Sequence, residues 1–128
     1  MVQAARDCPM QACHPDVEKS AVFAQLFLGR DIPGRGPVTD DEWSGFVEGV
    51  ITQHFPQGFT VFDADGQWQD QRTGSIGKER TKILIVSADD EPALYEKLSH
   101  VAQEYQRRFQ QKSIRLITTA TCVQVLKF

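Results

Sequence analysis

The sequence predicts an α+β fold, a βαββαβ sandwich with a four-stranded antiparallel sheet and two helices on one face. Three observations carry that expectation. A complete helix-start signal, "TDDE", stands at residues 39–42, and a second amphipathic stretch lies within residues 89–112. Between them sit two β-rich runs, "FTVF" (59–62) and "KILIV" (82–86), joined by a turn. Apolar runs before the first helix and after the second supply the outer members of the pattern.

Taken in order, residues 1–19 are polar and carry Pro9 and Pro15, so they read as an irregular arm ahead of a single domain over 20–128. "AVFAQLFLG" (21–29) is apolar on both alternating faces, with Val22, Leu26 and Leu28 opposite Phe23 and Phe27. Such a strand belongs in the middle of a sheet covered on both sides. "RDIPGRGP" (30–37) holds two prolines and two glycines and reads as a loop.

Thr39 then opens the first helix. Its hydroxyl can accept from the amide of Glu42 while the Glu42 carboxylate reaches back, and Val38 with Trp43 occupies the two staple positions. Trp43, Phe46, Val47, Val50 and Ile51 recur at helical spacing, and Pro56 with Gly58 ends the run. His54 falls near the centre of that stripe and reads as a core or capping histidine.

"DADGQWQD" (63–70) crowds three carboxylates, a glycine and a tryptophan together. A calcium loop would need its glycine later and a glutamate further on, so the stretch reads as a hairpin arm with a bulge at Gly66. The turn is placed at Arg72–Ser75, around Thr73 and Gly74. On the returning arm, alternation sets Lys78, Arg80 and Lys82 on one side and Glu79 with Thr81 on the other. Cross-strand ion pairs are the simpler reading of these charges. A ligand pocket with Trp68 as a stacking wall and Lys82 or Arg80 holding an anion is the functional one.

Asp89 or Asp90 is placed as the cap of the second helix, with Pro92 in its first turn. Leu94, Leu98, Val101, Tyr105 and Phe109 form its buried stripe, and His100 falls on its exposed face. "SIRLITT" (113–119) closes the sheet, with "CVQVL" (122–126) as its continuation. Right-handed crossovers then give strand order 4-1-3-2, the ferredoxin-like sandwich.

That topology brings the residues just before strand one close to those just after strand four. Cys13 and Cys122 are therefore within reach of a disulfide, against the alternative of two reduced thiols in the cytosol. Cys8 is left over. "CPMQACH" is two residues too long for haem attachment, and its Cys8, Met10, Cys13 and His14 on an irregular arm make a poor preformed metal site. No metal or cofactor is expected.

Net charge is −3, which lends no support to a nucleic-acid surface, and no apolar run reaches the length of a membrane span. No signal peptide is read at residues 1–13. Neither a nucleophile–base order nor a phosphate-binding glycine loop is found.

"LFLGR", "VTDDEWSGFVEGVITQHFPQGFTVFDADGQW", "GKERTKILIV" and "RRFQQKSIRL" before Cys122 resemble a bacterial family known only as a domain of unknown function, number 3574. The resemblance covers roughly residues 12–128, most specifically in the "FPxGxTVxDxxGxW" block. It implies an exported protein, periplasmic or extracellular, with the cytoplasm as the alternative, and it favours the disulfide. It brings no activity.

Two functional expectations follow. One is a small exported binding module for a small molecule or a protein, dimerising through the second, apolar face of its sheet. The arm is the alternative cover for that face. The other is a small-molecule enzyme with a cleft between subunits. There Trp68, Glu79, Lys82 and His54 are the candidates, and Glu79 or His54 the base.

Overall fold

The computed structural model describes residues 12–128. β1 spans Lys19–Gly29, β2 Thr60–Gln69, β3 Ile76–Ala88 and β4 Arg115–Val123. They form one antiparallel sheet ordered β2-β3-β1-β4, the ferredoxin-like arrangement. The helix α1 runs from Asp40 to His54 in three segments, Asp40–Phe46, a π-helical Val47–Ile51, and Thr52–His54; α2 is Pro92–Phe109.

Each helix start follows from its local chemistry. At α1 both halves of the capping box form, with Glu42 N–H donating to Thr39 Oγ1 at 3.1 Å and Thr39 N–H donating to Glu42 at 3.0 Å. The loop before it is closed by Arg30, whose guanidinium and backbone both bond the backbone of Val38. The cap of α2 is Glu91, with no side-chain bond, so the expected Asp89 or Asp90 cap is corrected. Pro92 decides this, because it forces the residue before it into an extended conformation and fixes the first helical position. Asp89 instead pairs with Lys19 at 2.9 Å.

The core lies between the helices and the inner sheet face. Val22, Leu26, Leu28, Leu84 and Val86 meet Phe46, Ile51, Leu98, Val101 and Tyr105, all buried. The Tyr105 hydroxyl, buried among Phe46 and Phe109, donates to the Gly29 carbonyl at 2.8 Å, and burial pushes its phenol well above the ordinary value. The stripe expected for α2 is the buried one. That of α1 shifts. The amide of Thr52 bonds Val47 O, a wide π turn that delays the following residues around the axis. Trp43, Phe46, Val50 and Ile51 are buried as expected, Val47 only partly; past the π turn Phe55 enters the core, and His54 leaves the stripe centre for the flank facing α2.

Register along β2–β3 is unbroken from Thr60↔Ile85 to Gln69↔Ile76, so the bulge expected at Gly66 is absent. Without it, strand alternation holds throughout. Asp63 and Asp65 share the helix-side face with Lys78, Arg80 and Lys82, while Phe62 and Trp68 lie on the open face. The hairpin turn is built on Asp70, whose carboxylate accepts from the amides of Arg72 and Thr73 before Gly74 turns the chain at φ 75°.

Cys13 and Cys122 are joined, with an S–S distance of 2.06 Å and Cα atoms 5.6 Å apart. The bridge ties the chain ahead of β1 to the edge strand β4. Cys8 and Met10, with most of the expected arm, lie outside the described residues. No helix among the described residues is long and apolar enough to cross a membrane.

Candidate functional site

β1 ends at Gly29, opposite Thr81, while β2 and β3 run on as a two-stranded ribbon. On the open face of this ribbon three glycines, Gly29, Gly66 and Gly77, offer a floor without side chains. Two side chains use it. The Trp68 indole lies flat over its cross-strand partner, where a β-carbon on Gly77 would stand 2.3 Å from Cζ2. The Glu79 carboxylate reaches over Gly29, where a β-carbon would stand 1.8 Å from Oε1. Gly77 and Glu79 are two residues apart on β3, so indole and carboxyl stand on the same face of the ribbon.

Glu79 is the electrostatically unusual group. Partial burial raises its pKa above the ordinary carboxyl value, and the nearby Asp31 charge adds to the shift. It lines a cleft of about 520 Å³ with Asp31, Asp65, Gly66, Gln67, Lys78 and Arg80. A carboxyl of this kind exchanges a proton nearer neutrality than a free one, and the cleft's lining does not include Trp68.

Lys82 is elsewhere. It points to the helix side, 8% exposed, with its ammonium 2.6 Å from Asp63 and 5.4 Å from the centre of the Trp43 ring. The Lys82 hydrogen bond holds the Asp63 carboxyl below its ordinary range. This is the cross-strand ion pair that alternation suggests, and Trp43 explains why the lysine stem is buried. A pocket walled by Trp68 with Lys82 or Arg80 on an anion is not assembled, since Trp68 lies on the opposite face from both. Arg80 instead borders the Glu79 cleft.

His54 is remote from all four, in the helix layer, with Nδ1 2.9 Å from Val50 O and its ring against His100. The five candidates thus divide into Trp68 with Glu79, Lys82 with Asp63, Arg80 between them, and His54 apart. Asp31, Gly29 and Gly77 are the participants that sequence reasoning missed. A glycine inside a strand pattern was the available signal, because it marks a place where something approaches the backbone closely.

The family described as "Protein of unknown function (DUF3574)" matches over residues 24–125. No curated protein matches the chain. Among solved structures, a phage SAM lyase in complex with S-methyl-5'-thioadenosine is similar at TM-score 0.57 and 16% identity, covering 92% of this chain and 97% of that one. The same lyase in its apo state gives 0.58 and 14%, over 94% and 99%. CutA from Synechococcus elongatus PCC7942, complexed with a Bis-Tris molecule, gives 0.51 and 10%, over 85% and 89%. At these identities the likeness is one of fold.

Proposed function

The chain belongs to the DUF3574 family, and we propose that it is a small exported binding module that pairs sheet to sheet with a second copy of itself. In this reading the strands and helices from Lys19 onward form the folding unit, and Trp68 with Glu79 holds a small ligand at the rim of the paired face.

One observation carries the pairing. The open face presents Phe62, 53% exposed, and Ile117, 39% exposed, around the half-buried Phe23, Phe27, Ile83 and Ile85. Among the described residues nothing covers it. These apolar side chains, with Gln25 at their centre, mark an interaction surface, and a two-fold axis lets the same patch cover itself. The Cys13–Cys122 bridge supports export, because disulfides persist in oxidising compartments. Light scattering behind size exclusion tests the pairing: a dimer that Phe62→Lys converts to a folded monomer supports it. A parent chain that stays monomeric at tens of micromolar refutes it, and the arm becomes the cover.

Glu79 favours a second reading, in which the cleft carries out proton transfer on a small molecule. Its raised pKa supports that role, and so, as analogy alone, does a lyase on the same fold. Lys82 and His54 drop out of this reading, since neither lies on the face with Glu79. A binding role predicts that Glu79→Gln weakens ligand capture; an enzymatic role predicts lost turnover with capture retained.

A further inference from the structure

α1 and α2 bring together two histidines that a regular α1 would keep apart. The π turn at Val47–Ile51 carries His54 onto the flank facing α2, where its ring meets His100 edge to face with centroids 5.8 Å apart. A carbonyl oxygen only accepts, so the 2.9 Å contact with Val50 O puts the proton on His54 Nδ1 and leaves Nε2 with a free lone pair. Metal-ligating histidines are held in this way, with the second ring nitrogen on a carbonyl or carboxylate.

The separation also fits. Imidazole nitrogens bind zinc at about 2.0–2.1 Å, so two rings sharing one ion have centres roughly 5–6 Å apart. The 5.8 Å separation is of this order; with His54 held by Val50 O, it is the exposed His100 ring that has to turn to bring a nitrogen to the shared ion.

We propose that His54 and His100 form a two-imidazole site for a divalent first-row ion of the imidazole-preferring kind, Cu²⁺, Ni²⁺ or Zn²⁺. The cleft over the pair, about 510 Å³, leaves room for water in the remaining coordination positions. Among the described residues no group of three His, Cys, Asp or Glu side chains completes a cage, so the site is an open one. Glu104, one turn beyond His100, lines the same cleft but is engaged by Arg107 and Arg108. Those three side chains leave one net positive charge beside the site. That charge opposes a dication and sets the affinity below that of a closed four-ligand centre. The site lies in the helix layer and is independent of what the open sheet face binds.

Titration of the full chain with NiCl₂, followed through the histidine ring protons, tests it. The expected result is that His54 and His100 broaden together, at lower nickel than His14. Either His54→Gln or His100→Gln should weaken binding about tenfold or more. His14→Gln should leave it unchanged, and Arg107→Gln should tighten it by removing the opposing charge. ZnCl₂ should raise the melting temperature of the parent and not of the double variant. Broadening of the two rings independently, at the concentration that affects His14, overturns the proposal. So does a His100→Gln chain that binds as the parent does, a decisive variant because His100 is exposed and its loss leaves the core intact.

Discussion

The Glu79 carboxylate occupies the space that a side chain on Gly29 would need: a β-carbon there would meet Oε1 at 1.8 Å and Gln111 Oε1 at 3.0 Å. The obstruction is the far end of two flexible side chains, so Gly29→Ala should fold, at a cost of about 1 kcal/mol or less. It should push Glu79 into water and return its pKa towards the ordinary value. A carboxyl-detected NMR titration reads the change directly.

Glu79 also makes stability depend on pH in a definite direction. Its folded pKa is raised by burial and by Asp31, so the folded chain holds this proton more tightly than the unfolded one. The stability it contributes is complete below the unfolded value and is lost as pH rises through the raised one. Urea midpoints should therefore show Glu79→Gln gaining on the parent at pH 7 and matching it near pH 4.

Glu42 runs the other way. Its bond to Arg35, with the amide of Thr39, holds its pKa down from 4.5 to about 2. The capping box should thus stay intact above the unfolded value and weaken as pH falls from about 4.5 towards 2. Glu42→Gln should remove that part of the acid sensitivity, seen as a shallower fall in helical circular dichroism over this range.

The Asp63–Lys82 pair is asymmetric. Lys82 is buried and Asp63 is exposed, so the two halves differ in what their removal leaves behind. Asp63→Ala strands a desolvated ammonium and should cost about 1–3 kcal/mol. Lys82→Met keeps the packing on Trp43 and should be close to neutral. Equal losses for both variants in denaturant melts would contradict the placement of Lys82.

Severing the Cys13–Cys122 bridge should cost about 2–4 kcal/mol, as expected for a link closing a loop of 109 residues of separation. Cys122→Ser and the reduced parent should melt alike, both below the oxidised chain, with the same circular dichroism at low temperature.

Much of the fold was legible because its signals are local and agree with one another. Val38, Thr39, Glu42 and Trp43 specify one helix start, and the structure uses all four. The apolar alternation of β1 places it centrally, which fixes the order of the other strands and with it the nearness of Cys13 to Cys122. The failures came where one residue's choice depends on distant partners. A π turn cannot be read from helical spacing, so of the two readings of His54, core or capping, the structure keeps the second, with Nδ1 on Val50 O, and its meeting with His100 was missed. Gly66 suggested a bulge by composition, yet the regular register lets Trp68 lie on Gly77. The candidate site was legible as a set of residue types and not as a set of neighbours. Alternation within each strand does not relate the two strands; the register that sets Asp63 against Lys82 and Trp68 against Gly77 is what puts Trp68 and Lys82 on opposite faces.

The pairing of β1 with β4 has a consequence for the order of events during synthesis. The first strand to be made waits for the last, from Lys19↔Val123 to Phe27↔Arg115. Until some ninety further residues have emerged, one edge of a strand rich in phenylalanine and leucine has no backbone partner. A nascent chain in that state is a natural client for holding chaperones. β4 docking beside β1 is what holds Cys13 and Cys122 together, so the native fold favours closure of this bond over any other pairing of the chain ends.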